Sequence, residues 1–325
     1  MANAIRVHTP GGPEVLQYEK YHPGQPASGE VRLEQHAVGL NFIDVYHRTG
    51  LYPIADKPFV IGLEAAGVVA EIGPDVNNFK PGDRVAYAGL PIGAYCDERV
   101  IPAHRLVKLP DEISFETGAA MMLQGMTVQY LIRSTYAVKP GDTVLFHAAA
   151  GGVGAIACQW LNHLGATVIG TVGSPEKAEL AKSHGCHHTI LYREENLVDR
   201  VADITNGEGV PVVYDSVGKD TYEASLDCLA PIGTFVCFGS ASGPVDSVSP
   251  AALAAKGSLF FTRPTLMTYT AKPEDLQACA KDLIDVITAG AVKISINQTY
   301  PLARARQAHE DLEGRKTTGS TVLTV

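Results

Sequence analysis

The stretch Thr143–Gly154, TVLFHAAAGGVG, decides the fold of this chain. An apolar run, Thr143 to Phe146, leads into a glycine turn. A helical pattern from Ala155 to Leu164 leads out of it and stops at Gly165. Strand, glycine turn and helix in that order are the context of a dinucleotide fingerprint, G-x-G-x-x-G. Gly151 and Gly154 occupy its last two glycine positions, and Ala149 stands at the first. Small residues there let the backbone approach a pyrophosphate. The helix N-terminus then offers N–H groups and a positive dipole end, which assigns Gly151, Gly152, Val153 and Gly154 to phosphate contact. A tight turn packing one helix on one sheet is the alternative reading, and the flanking segments weigh against it.

Downstream of the turn, strands and helices alternate. Strands are expected at 143–148, 167–172, 188–191, 210–214, 234–238 and 259–262, with helices at 154–164, 176–184, 195–205 and 221–229. Such alternation reads as a parallel, doubly wound sheet whose strand carboxyl ends share one edge. Ligands of open α/β sheets bind along that edge, where the glycine turn, 171–173, 215–216, 238–240 and Arg263 fall.

Upstream, residues 1 to about 110 read as short β-branched strands separated by Pro-Gly and Gly-Gly-Pro clusters, a small irregular β-barrel or sandwich. One helical turn is expected near Asn41–Arg48. A long helical pattern, Gly118–Ala137, connects this part to the alternating one. After it, Pro273–Ala289 reads as a helix, 294–300 as a strand, 302–312 as a helix and 319–325 as a strand. The expected division is 1–126 with 266–325 as one domain and 127–265 as the dinucleotide-binding domain.

The chain has 325 residues, 46% hydrophobic and 19% charged, with a net charge of −9. These values suit a two-domain globular protein and disfavour a broad nucleic-acid surface. Cysteines at 96, 158, 186, 228, 237 and 279 show no C-x-x-C spacing, so neither a redox dithiol motif nor a zinc ribbon is indicated. Met1-Ala-Asn-Ala-Ile-Arg lacks a charged-then-apolar signal pattern, and no run of about 18 apolar residues calls for a membrane span. The expectation is a cytoplasmic chain with reduced thiols, not bound to membrane.

An NAD-specific site places an acid about 20 residues after the fingerprint, where it accepts from the ribose hydroxyls. The matching strand end is Val172-Gly173-Ser174-Pro175-Glu176-Lys177, with no acid at its tip. Gly173 leaves room, Ser174 can donate, Lys177 can reach back with a charge, and Tyr192 with Arg193 ends the next strand. Such a donor set suits a 2′-phosphate, and hence NADPH.

Two further stretches carry a specific resemblance. Gly62–Val69, GLEAAGVV, with Gly73 and Lys80–Val85, KPGDRV, resembles the medium-chain dehydrogenase/reductase superfamily. Gly141-Asp-x-x-Leu-x-x-x-Ala-Ala-Gly-Gly-Val-Gly-x-x-x-x-Gln159, together with Tyr214–Gly218 (YDSVG) and Arg315–Gly319 (RKTTG), is similar to its quinone oxidoreductase, zeta-crystallin-like branch. Asn162 and Ser320 depart from the usual pattern. The resemblance implies an α/β fold: a Rossmann-type doubly wound parallel sheet plus a GroES-like, mostly β catalytic domain. The zinc-dependent members carry Gly-His-Glu. Here Leu63 stands at the histidine position and Asn41-Phe-Ile-Asp44 in the region of the cysteine ligand, and the four-cysteine structural lobe is missing, so no metal is expected.

Without a Lewis acid, the favoured substrates accept reducing equivalents readily: quinones or other electrophilic carbonyls. The resemblance implies a cofactor in an interdomain cleft, with Asn41, Tyr46 and Tyr52 beside the substrate oxygen in an oxyanion-type role. It implies that Thr127, Tyr130 and Ser216 contact the cofactor, that Phe238, Ser240, Phe261 and Arg263 wall or hold it, and that Arg315 reaches it from the tail. An enone or enoyl-thioester reductase is the rival within this class; a crystallin-like or RNA-binding protein without turnover is the rival outside it. The strand at 259–262 should form a sheet edge, and edges invite two-fold pairing into a homodimer.

Overall fold

A computed structural model describes residues 1–325. The strands are β1 (Ala2–Val7), β2 (Leu16–Tyr21), β3 (Glu30–Leu40), β4 (Phe59–Val60), β5 (Glu64–Ile72), β6 (Arg84–Ala88), β7 (Glu98–Pro102), β8 (Val107–Lys108), β9 (Thr143–Phe146), β10 (Thr167–Val172), β11 (His188–Leu191), β12 (Val210–Asp215), β13 (Leu229–Cys237), β14 (Phe260–Thr262), β15 (Ile296–Pro301) and β16 (Ser320–Thr324). The helices are α1 (Phe42–Thr49), α2 (Phe115–Tyr130), α3 (Gly152–His163), α4 (Pro175–Ser183), α5 (Leu197–Thr205), α6 (Tyr222–Asp227), α7 (Pro250–Ala255), α8 (Leu266–Tyr269), α9 (Pro273–Thr288) and α10 (Ala305–Glu313). A π-helical turn, Leu131–Thr135, continues α2.

The chain forms two compact units: Met1–Met126 with Thr270–Ile284 and Ile294–Val325, and Thr127–Tyr269 with Asp285–Lys293. Residues 266–269 and 285–293 pack with the second unit.

In the first unit, a sheet runs β15-β16-β3-β5-β6-β8, with β7 also paired to β3, and a smaller sheet runs β2-β1-β4. The tail strand β16 lies antiparallel to β3, Val322 opposite Gly39. Leu33, Val38, Ile61, Tyr87, Ile101 and Leu323 are buried in one core with Leu302, Ala305 and Ala308 around α10. Each large side chain so buried stabilises the fold by about 1.5–3 kcal/mol.

The second unit holds one parallel sheet in the order β11-β10-β9-β12-β13-β14. Relative to chain order within the sheet this is 3-2-1-4-5-6, so the strand order reverses beside β9, where doubly wound sheets bind nucleotides. Val144, Leu145 and Phe146 are all fully buried, as expected of a central parallel strand covered on both faces. β13 begins at Leu229, earlier than its sequence suggested, and carries Ile232 in the left-handed region (φ 65°).

Candidate active site

The first turn of α3 opens the nucleotide edge. Gly151, its N-cap, provides no side-chain cap, which leaves the N–H groups of Gly152, Val153 and Gly154 for a ligand. Gly154 has to be glycine: a Cβ there would stand 2.3 Å from the Ala148 carbonyl oxygen. Ala148 takes φ 57°, and its carbonyl accepts from Gly151 N at 2.9 Å. At the tip of β10, Ser174 caps α4 and accepts from Lys177 N at 3.4 Å. The Tyr192 hydroxyl leans over Gly173, 3.0 Å from where a Cβ would be, and the Arg193 guanidinium lies 5.8 Å from the Tyr192 ring centroid. Glu176, the acid of this segment, receives a hydrogen bond from Ser174 that lowers its pKa.

A buried polar cluster supports the turn. Ala148 N donates to Thr171 Oγ1 (3.2 Å), and Thr171 Oγ1 lies 3.0 Å from His147 Nδ1. His147 Nε2 meets Ser225 Oγ at 2.8 Å, and Ser225 donates to Asp215 at 3.4 Å. Asp215 also accepts from Val217 N, Gly218 N and Thr221 Oγ1 at 2.6, 2.9 and 2.5 Å. Burial lowers the His147 pKa against the pull of Asp215, 3.8 Å from Nε2; with the ring neutral and its hydrogen on Nε2, the donors run in sequence from the turn to Asp215. Sequence reasoning passed over His147 as a ligand of this kind, because its partners come from three other segments.

Ser216, Phe238 and Ser240 follow the carboxyl ends of β12 and β13. The Phe238 ring stands 5.7 Å from that of Phe146. Thr127 is buried near the end of α2, and Tyr130 stacks on Tyr269 at 4.5 Å. Phe261 is taken up by packing: it stacks on Phe235 at 5.5 Å and meets Tyr222 edge-on. Strand alternation turns Phe260 outward instead, 59% exposed. Arg263 is exposed and donates to the Pro264 carbonyl at 3.0 Å. Arg315 is exposed in the turn before β16, with φ 57°.

In the first unit the structure gathers Asn41, Tyr46 and Tyr52. Asn41 is the N-cap of α1, the Tyr46 and Tyr52 rings stand edge-on at 5.1 Å, and Tyr52 N donates to Tyr46 O at 3.1 Å. Two buried carboxylates grip Asn41. Its side-chain Nδ2 donates to Glu64 Oε2 at 2.6 Å, and its backbone N donates to Asp44 Oδ2 at 2.9 Å. Leu123 N donates to Glu64 Oε1 at 2.7 Å. Gln124 Nε2 donates to Asn41 Oδ1 at 3.1 Å, and Ser320 Oγ donates to Gln124 Oε1 at 2.9 Å. The Asn41 amide is therefore fixed, oxygen to Gln124 and nitrogen to Glu64, with its second N–H left to donate. Gly39 makes room, since a Cβ there would stand 2.5 Å from Glu64 Oε2.

Burial lifts Asp44 to about 7 and Glu64 to about 8, against hydrogen bonds that pull each down. The folded chain thus holds these protons more tightly than the unfolded chain, whose carboxyls titrate near 3.8 and 4.5. That stabilisation is complete below the unfolded values and is lost as pH rises through the folded ones. Histidines held below 6.5, His147 and His309, act oppositely and only on the acid side. Between pH 6.5 and 8 the carboxylates decide, and thermal melts should show stability falling by about 2 kcal/mol.

The model of the alcohol dehydrogenase GroES-like domain matches residues 27–111, and that of the zinc-binding dehydrogenase matches 152–284. A quinone oxidoreductase of Pseudomonas aeruginosa is 55% identical over 99% of each chain. The crystal structure of Escherichia coli quinone oxidoreductase complexed with NADPH superposes with a TM-score of 0.98 at 49% identity, covering 99% of this chain and 100% of that one. A Pseudomonas syringae quinone oxidoreductase structure gives a TM-score of 0.99 at 51% identity over the whole of both chains. The chain belongs to the quinone oxidoreductase family, the zinc-independent branch of the medium-chain dehydrogenase/reductase superfamily. Leu63 is fully buried at the position of the zinc-binding histidine. No group of three or more His, Cys, Asp or Glu side chains is arranged to hold a metal ion, and no helix is long and apolar enough to cross a membrane.

Proposed function

We propose that this chain is an NADPH-dependent quinone oxidoreductase that works without a metal. The full-length match to quinone oxidoreductases carries this reading, and the donor set around Gly173 supports the cofactor. The uncapped turn at Gly151–Gly154 would hold the pyrophosphate. Lys177 and Tyr192 would hold the 2′-phosphate, with Ser174 turning its one hydroxyl hydrogen from Glu176 to the phosphate, a donor-rich tip suiting a dianion. Thr127, Tyr130, Ser216, Phe238, Ser240, Arg263 and Arg315 are assigned to the cofactor with them. When bound, NADPH supplies the hydride. In this reading Asn41, Tyr46 and Tyr52 face the substrate oxygen and donate to it as charge develops. In this reading the segments 1–126 and 266–325 would form the catalytic part, apart from 266–269 and 285–293, which pack with 127–265, the dinucleotide-binding part.

NADPH oxidation against a panel of quinones, enones and enoyl thioesters tests the reading: good enone turnover with no quinone turnover would overturn it. Lys177→Ala should weaken NADPH binding about ten- to a hundred-fold, the size of one charge-assisted hydrogen bond, with NADH binding little changed. Fluorescence titration with both nucleotides measures it, and equal affinities in the unaltered protein would remove the 2′-phosphate assignment. Six buried, unpaired cysteines suit a reducing cytoplasm. The edge strand β14, with Phe260 59% and nearby Ile232 69% exposed, suits a homodimer; a monomer mass by light scattering would refute that.

A further inference from the structure

Asp44 ends a line of hydrogen bonds that crosses the first unit. Arg48 pairs with Glu313 through two contacts of 2.8 Å, and its Nη1 also meets His309 Nδ1 at 3.1 Å. His309 Nε2 lies 3.2 Å from the Tyr95 hydroxyl, and Tyr95 donates to Asp44 Oδ2 at 2.9 Å. Every direction in this line is determined. Arginine only donates, so His309 Nδ1 accepts. The ring, held neutral by burial and by the Arg48 charge, then carries its hydrogen on Nε2 and donates to Tyr95. Tyr95 has its own hydrogen left for Asp44. All members but Glu313 are buried, and none of them is used by the chemistry assigned above.

We propose that Asp44 is a positioning residue for the reduction: the one-way chain Arg48–His309–Tyr95 holds its carboxylate as an acceptor, and that carboxylate fixes Asn41 through the Asn41 backbone N–H. The proposal rests on the reading that Asn41 faces the substrate oxygen. Asp44 stands in the first turn of α1, where an anion also complements the helix dipole. A charged acceptor holds its donors about twice as strongly as a neutral one, so protonating Asp44 loosens the turn that carries Asn41. Tyr95, from the segment after β6, and the Asn41 backbone N–H contact Asp44 directly; His309 from α10 and Arg48 from α1 stand behind Tyr95, and Glu64 on β5 is close enough for the two carboxyls to oppose each other's ionisation. Burial places the ionisation of Asp44 in the neutral range, so turnover should rise with pH there.

Quinone turnover at saturating NADPH, followed against pH, tests this. The rising limb belongs to the two carboxylates together, but Tyr95 donates only to Asp44. Tyr95→Phe should move the limb about one to two pH units upward, the size of one lost hydrogen bond to a charge, with the NADPH dissociation constant unchanged. His309→Leu should move it in the same direction. His309→Gln should return it, because the amide oxygen accepts from Arg48 while its nitrogen donates to Tyr95. A limb left in place by Tyr95→Phe, with turnover lowered equally at every pH, overturns the proposal. Should Tyr95→Phe fail to fold, the His309→Leu and His309→Gln pair decides by the same criterion. Asn41→Ala with undiminished turnover would instead break the assignment of Asn41, and the proposed route with it, whether or not the limb moves.

Discussion

Glu64→Gln is expected to lower quinone turnover about 100-fold, the loss that follows when one oxyanion donor is displaced, while NADPH binds as before. The reason is the direction of the chain Ser320–Gln124–Asn41–Glu64. Once ionised, above its raised pKa, Glu64 can only accept, so in that form it compels Asn41 to present its nitrogen. A glutamine at 64 can keep its oxygen on Leu123 N and offer its nitrogen to Asn41. Asn41 and Gln124 then turn over in concert, and Ser320 accepts from Gln124 while donating to the Ala120 carbonyl it already meets at 3.2 Å. Every bond is remade and the protein folds, but the Asn41 donor has moved across the width of the amide. Stopped-flow or steady-state turnover with a quinone measures it. Turnover within about twofold of the unaltered protein would show that Asn41 is not the oxyanion donor.

The second large effect is at the glycine turn. Gly154→Val places its Cβ against the Ala148 carbonyl at 2.3 Å and the Ala149 backbone at 2.7 Å. Neither contact is the end of a flexible side chain, so the start of α3 must shift away from the turn. Two charge-assisted bonds to phosphate, each worth about 1.5–3 kcal/mol, would be lost or bent. NADPH affinity should fall at least about 100-fold. Overpacking costs about 1–3 kcal/mol of stability as well, so a melt without nucleotide accompanies the titration. An unchanged dissociation constant would mean that the phosphates bind elsewhere.

The contrast between these two sites explains what the sequence discloses. The glycine turn is local: strand, turn and helix lie within Thr143–His163, and each element carries its own period and stop signal. The six strands of the second unit were legible for the same reason. The grip on Asp44 is not local. Tyr95 and Asp44 lie 51 residues apart, and Tyr95 and His309 lie 214 apart; nothing in the spacing of a tyrosine and a histidine announces such a partner. The one available signal was Asp44 and Glu64 themselves, acids set among apolar neighbours in Asn41-Phe-Ile-Asp44 and Gly62-Leu-Glu64. β2 was missed because Leu16–Tyr21, LQYEKY, buries little beyond Leu16 and reads as solvated chain. Tyr95–Ile101 reads as one strand by its residue types, but β7 comprises only Glu98–Pro102. Tyr95 is spent inward on Asp44, a tertiary demand that strand propensity does not encode.

The two buried carboxylates have a practical consequence for handling. Turnover is assigned to their ionised forms, whereas the fold is more stable with both protonated. Preparations of this protein should keep longest in storage slightly below pH 7 and lose activity fastest in the mildly alkaline buffers where their initial rates are highest. Bound NADPH, which stabilises whatever conformation it binds, should lengthen their working life there.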